Sequence, residues 1–202
     1  FMQAITDTKH LTVQTLPPIL VLTGEDVGQF EWLKKDILNK IGYDPSDLNY
    51  SYFDMKEASY DEVELDLVSL PFFADEKIVI LDHLLDVTTA KKRNLTDEDL
   101  KQFENYLENP SESTRLVIFA EGKLDSKRRL VKLLKRDAQI IEATTPKEQE
   151  VKRYFASQAQ ELGLQFEGDS LDQLLLKSGY DFGELQKNIA LLQAYKEDGQ
   201  IS

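Results

Sequence analysis

Gly24 opens the one frame in this sequence that could cradle a phosphate. A Walker A loop reads Gly-x4-Gly-Lys-Ser/Thr: backbone amides hold the phosphates, the lysine meets the terminal ones and the hydroxyl meets magnesium. Counted on from Gly24, the last three positions are Gln29, Phe30 and Glu31. The lysine and the hydroxyl are both missing. Glu25 and Asp26 put negative charge where a helix should begin, which suits the helix dipole and repels a triphosphate. The same residues also make an ordinary strand-to-helix turn, and both readings predict no hydrolysis. A later apolar run ends in a lone Asp82 followed by His83. A Walker B site usually wants a second carboxylate to handle the attacking water. His10 and His83 stand far apart, and the Ser, Asp and His residues show no nucleophile elbow. The acids Asp97-Glu98-Asp99 lack calcium-loop spacing and suit helix capping. With no cysteine, the chain has no disulfide, zinc-thiolate site or cysteine nucleophile, which fits a reducing cytoplasm.

The other residues with an evident use are aromatic. Leu70-Pro71-Phe72-Phe73 stands between an acidic amphipathic stretch and the apolar run Ile78-Val79-Ile80-Leu81. Proline ends a helix because it has no N–H and clashes with the preceding turn. Phe72 and Phe73 therefore sit on a corner. In one reading a ring faces outward and anchors a partner's pocket; in the other both rings cap the core.

Alternating strand and helix patterns must position these residues. Residues 19–23, 50–53, 78–81, 116–120 and 139–142 read as strands, the first a short apolar run typical of a buried parallel strand. Between them lie helical patterns. The first runs from about 25 to 41, with Phe30, Leu33, Ile37, Leu38 and Ile41 on one side. The second starts at a capping box of Ser59 and Glu62, with Tyr60, Val63, Leu67 and Leu70 inward. The third is capped by Thr96 and Asp99 and ended by Asn109-Pro110. The fourth is a basic helix capped by Ser126, with Leu130, Leu133 and Leu134 inside. Residues 84–96 read as a loop. This order implies an α/β fold with a mainly parallel sheet of five strands and helices on both faces. After Thr144-Thr145-Pro146 no further strand is expected; helices at about 147–162, 169–177 and 182–196 form a small helical domain, with the boundary near 144–146. Residues 1–15 either pair with the sheet edge or stay loose.

The 202 residues, 41% of them hydrophobic, suffice for one large or two small domains. No stretch approaches the 18 or more apolar residues of a membrane span, and the first fifteen residues carry no signal pattern. A net charge of −13 argues against the chain acting alone as a strong nucleic-acid binder. The charge is uneven. Residues 57–76 hold seven acids and no base; residues 127–136 hold six bases and no acid. Such patches either orient the chain in an assembly or are solvated helix faces.

Four stretches carry a resemblance to a known family. They are Val21-Leu22-Thr23-Gly24-Glu25, followed by a helix and no lysine; Leu70-Pro71-Phe72-Phe73 leading into Lys77-Ile78-Val79-Ile80-Leu81; Gly122-Lys123-Leu124-Asp125; and Asp181-Phe182-Gly183-Glu184-Leu185-Gln186-Lys187-Asn188-Ile189. From about Leu16 to its end the chain resembles the delta subunit of bacterial DNA polymerase III, part of the clamp loader. The resemblance implies an AAA+-like, P-loop NTPase-like fold: a doubly wound α/β domain over 1–143 with a degenerate nucleotide site, then a three-helix lid over 144–202. It implies a third, collar domain that would begin near Ser202, so the chain reads as a fragment. It also implies a non-catalytic, cytoplasmic subunit without cofactor or membrane contact, inside a complex with DNA-directed DNA polymerase (nucleotidyltransferase) activity. The partners implied are the ring-shaped sliding clamp (the beta subunit), the other loader subunits and primed DNA. Phe72 and Phe73, with Leu70 as support, would enter a pocket on the clamp and spring one of its interfaces. Arg128, Arg129 and Lys132 would face a neighbouring subunit or DNA phosphates, or form a solvated face. Related loader subunits carry Ser-Arg-Cys before the fifth strand. Here the stretch is Arg136-Asp137-Ala138, and no arginine finger is assigned. The competing readings are a divergent nucleotide-dependent switch and a DNA-binding adaptor that uses the basic helix.

Overall fold

Runs of Ile, Val and Leu without interposed charge are stable only where both faces of a strand are covered. A computed structural model describes residues 1–72, 74–195 and 200–201. Five strands form its central sheet, β1 (Ile19–Gly24), β2 (Tyr50–Asp54), β3 (Lys77–Asp82), β4 (Thr114–Glu121) and β5 (Gln139–Ala143), and such runs make up the middle of β1, β3 and β4. Their order is β2-β3-β4-β1-β5, and every neighbouring pair is parallel. β1 and β3 are buried at every position, whereas β2, on one edge, is half-buried along its length. This is the α/β fold class expected.

The helices are α1 (Met2–Lys9), α2 (Val27–Lys40), α3 (Tyr60–Val68), α4 (Asp97–Glu108), α5 (Arg129–Asp137), α6 (Glu148–Glu161), α7 (Ser170–Lys177) and α8 (Phe182–Tyr195). One face of the sheet packs against α3, α4 and α5 through Val63, Leu67, Phe103, Leu130 and Leu134. The other face packs against α2 through Phe30, Leu33 and Ile37, with Ala4 of α1 beside them. A third apolar cluster joins α6, α7 and α8 around Phe155, Leu175, Phe182 and Leu185.

Several expectations are corrected. The N-terminal residues neither pair with the sheet nor stay loose. They form α1, tied to α2 where Lys40 Nζ donates to the Thr8 carbonyl at 2.6 Å. A strand pair does appear late in the chain: β6 (Gln165–Phe166) lies parallel to β7 (Gln200–Ile201). Two residues per strand are too few to register as a period. Ser126 does not cap α5. The helix starts at Arg129, and the Asp125 carboxylate accepts from Lys127 N at 3.2 Å, while Ser126 Oγ accepts from Lys135 Nζ at 2.6 Å. Leu70 is not on the inner face of α3, because the helix ends at Val68 and Ser69 is already extended. Thr96 and Asp99 make the full reciprocal cap; at Ser59 the half formed is its hydroxyl accepting from Glu62 N. Inside residues 84–96 a short 3-10 turn spans Leu85–Val87, and the buried Asp86 carboxylate accepts the amides of Asn94 and Leu95.

Candidate functional site

The turn after β1 is closed by the chain itself. Gly24 has φ +123° and exchanges backbone hydrogen bonds with Gly122 at 2.9 and 2.7 Å. A Cβ at Gly24 would lie 2.2 Å from the Ala143 carbonyl oxygen. Asp26 caps α2, its carboxylate accepting from Gln29 N at 2.9 Å. An amide that would face an incoming phosphate thus already has an anionic partner. Gln29 is fully buried, with its side-chain amide donating to the Thr144 carbonyl at 2.7 Å, and Phe30 lies in the core. Of the residues aligned with the phosphate frame, Gly24 is a left-handed turn, and Gln29 and Phe30 are packing.

The first turn of α8 sits on the first turn of α2. A Cβ at Gly28 would meet Gly183 N at 2.9 Å, and one at Gly183 would meet Gly28 Cα at 3.2 Å. Trp32, the single tryptophan of the chain, packs edge-on against Phe182 at 5.4 Å. A side chain at Gly28 must wedge these helices apart, at a cost of about 1–3 kcal/mol. Gly28→Val is therefore expected to red-shift Trp32 fluorescence while far-ultraviolet circular dichroism stays constant. An unshifted emission maximum would show that the two turns do not bear on one another.

Asp82 is equally occupied. One of its oxygens accepts from the Tyr52 hydroxyl and pairs with Lys34 Nζ at 2.5 Å; the other accepts from His83 N at 2.8 Å. His83 takes a left-handed φ of 56°, and its Nδ1 lies 2.9 Å from Asp54. Burial first, then the bond to Asp82, pushes the Tyr52 phenol far above its ordinary range. The amide of Lys56, and less strongly His83, hold the Asp54 carboxyl below its ordinary range. Among the described residues no group of three or more His, Cys, Asp or Glu is arranged to hold a metal. Sequence reading singled out Asp82 and missed Lys34 and Tyr52. Lys34 lies four residues after Phe30, on the buried side of α2, and that spacing was the available signal.

The corner after α3 is open. α3 turns Tyr60, Val63 and Leu67 inward and leaves Leu65 and Val68 exposed. Leu70 is 76% exposed and Phe72 84% exposed. Phe73 lies outside the described residues. The reading in which both rings cap the core does not hold for Phe72. The carboxylates Asp61, Glu62, Glu64, Asp75 and Glu76 belong to the same stretch of chain, and Glu76 pairs with Arg115.

The basic helix is partly neutralised within the chain. Arg128 pairs with Asp125 at 3.2 Å, and Arg129 pairs with Glu108 at 3.1 Å and approaches Glu104. Arg136 pairs with Asp137 at 2.8 Å and with Glu108, which raises its already high pKa, the Asp137 bond contributing most. Lys132 is exposed and has no ion pair among the described residues. Residues 127–136 thus offer a neighbour fewer free cations than their count suggests. Among the described residues no helix is long and apolar enough to cross a membrane.

Known proteins share this fold. The DNA polymerase III subunit delta of Bacillus subtilis (strain 168) is 27% identical over 141 residues, which are 67% of this chain and 40% of that protein. The solved Bacillus subtilis DNA clamp loader delta protein matches with a TM-score of 0.72 at 21% identity, over 99% of this chain and 59% of that one. At that identity the likeness is one of fold. The chain spans less than two thirds of either protein. The family described as DNA polymerase III, delta subunit, matches residues 20–144. With more than half of its residues inside that match, the chain belongs to the DNA polymerase III delta subunit family.

Proposed function

We propose that this chain is the clamp-engaging part of a clamp-loader delta subunit, which binds the sliding clamp and opens it without hydrolysing ATP. The observation that carries this is Phe72, a large aromatic 84% exposed in the corner four residues beyond the end of α3. Burying such an anchor in a pocket supplies roughly 2 kcal/mol or more. If the pocket accepts the ring better in the opened clamp, that energy shifts the clamp's population toward the open form. No bond is made or broken by this chain. Leu70 supports the anchor. Phe73, adjacent in sequence, is proposed to share the pocket.

The chain divides, on this reading, into an α/β unit over 1–143 and a helical lid over 144–202, with a collar domain completing the subunit. Its partners are the clamp, neighbouring loader subunits and, through them, primed DNA, in the cytoplasm. The pairing of Arg128 and Arg129 with carboxylates favours contact with a neighbouring subunit over direct phosphate binding by this chain.

The absence of hydrolysis is supported by the missing lysine and hydroxyl, by Asp26 at the amides of α2 and by Asp82 in its pair with Lys34. Titration with magnesium-ATP is expected to show no binding tighter than millimolar. A tighter site would favour a nucleotide-dependent switch. Capture of a purified bacterial sliding clamp by the immobilised chain tests the main reading, and failure to capture it removes that reading.

A further inference from the structure

Lys77 is a buried base directly after the seven-acid stretch, and its partners all lie at the foot of the exposed corner. A helix leaves its last four carbonyls unpaired, and cations favour that end. α3 has no basic residue in its last turn. The compensation comes from other elements. Lys77 Nζ, reaching from the start of β3, donates to the Asp66 carbonyl, pairs with Asp66 Oδ1 at 3.4 Å and donates to Ser69 Oγ at 2.9 Å. Thr114 of β4 donates its hydroxyl to the Leu67 carbonyl at 3.2 Å, and Ser69 N donates to the Leu65 carbonyl at 3.1 Å.

The bond between Lys77 and Ser69 joins residues eight apart, and Leu70, Pro71 and Phe72 lie between them. It closes the base of the loop that carries the anchor. Pro71 restricts Leu70 to extended backbone. A loop tied at its base and stiffened by proline has less freedom to lose on docking.

We propose that Lys77 is a positioning residue for the Leu70–Phe72 anchor: it fixes the end of α3 and the loop base, so that Phe72 projects in one direction before a partner arrives. The ammonium itself is only slightly exposed and does not meet the partner. The proposal rests on the clamp-binding reading of the corner.

The test is a double-mutant cycle on affinity for a purified sliding clamp, with hydrogen exchange measured on the free chain. Lys77→Met is expected to weaken binding roughly tenfold in the chain with Phe72. In the Phe72→Leu background, whose smaller anchor leaves a measurable affinity, the loss is expected to be under about twofold, because a mis-aimed anchor matters only when the anchor contributes. Amides of residues 69–76 should exchange faster, with those of β3 beyond Lys77 and of β4 unchanged. Equal losses in both backgrounds, or no loss at all, overturn the proposal. Ser69→Ala removes the other end of the same bond at an exposed site. It should show the same coupling at smaller size even if Lys77→Met does not fold, and absence of coupling there overturns the proposal. A chain that fails to bind the clamp with Phe72 intact ends the clamp reading. The exchange data then decide Lys77 alone: acceleration confined to 69–76 sustains it as the mount of the corner, and unchanged or global acceleration rejects it.

Discussion

Phe72→Ala is expected to weaken binding to a sliding clamp by about 30-fold or more, which is roughly 2 kcal/mol, and to leave the melting temperature nearly unchanged. The two halves of this result have separate causes. The ring is 84% exposed, so its removal takes little apolar surface out of the folded core. The same exposure means that nearly all of its burial is still available to a partner. Phe72→Ala together with Phe73→Ala is expected to abolish detectable binding with circular dichroism preserved. Surface plasmon resonance against the clamp, paired with thermal melting of the same samples, checks both halves. A double variant that unfolds would mean that the corner holds the fold together, and the anchor reading would fail.

Gly24→Val is expected to act on the opposite property. The residue has φ +123°, a conformation that strains any side chain, and its Cβ would lie 2.2 Å from a backbone oxygen of Ala143. Retreat is blocked on the other side, where Gly24 and Gly122 exchange hydrogen bonds. Strain of this kind costs about 1–3 kcal/mol alone, and the overlap adds to it. A loss of about 4 kcal/mol would lower the melting temperature by about 10 °C in a chain of this size. Differential scanning calorimetry checks it. In a working phosphate loop the corresponding glycine would be expected to affect nucleotide affinity. Here the reading is stability, and an unchanged melting temperature would show that the turn yields more easily than its contacts suggest.

Most of the sheet was legible in the sequence because its three inner strands, β3, β4 and β1, carry uninterrupted apolar runs. Ile78-Val79-Ile80-Leu81 can hardly be anything but a covered strand, and it lies within β3. Where two local signals competed, the wrong one was followed at Leu70 and at Ser126. Leu70 stands three residues after Leu67, which fits the helix stripe, yet it precedes Pro71, which disfavours helical backbone. The proline prevailed, and Leu70 is exposed. Ser126 looked like a cap because of its type; Asp125, one residue earlier, supplies the turn instead. The phosphate frame was read as empty of chemistry from its missing lysine and hydroxyl. What fills it was not legible, since Thr144, Gly183 and Ala143 reach Gln29, Gly28 and Gly24 only through the tertiary fold. The pairing of Lys34 and Tyr52 with Asp82 was hidden in the same way, because β2, α2 and β3 converge there from separate parts of the chain.

The meeting of Gly28 with Gly183 has a mechanical consequence. The two backbones approach closely, with the Asp181 carboxylate beside them, which leaves no slot for a small molecule between the two glycines. On the clamp-loader reading proposed above, torque applied to α8 by a neighbour would pass to α2 and the sheet like force through a crankshaft.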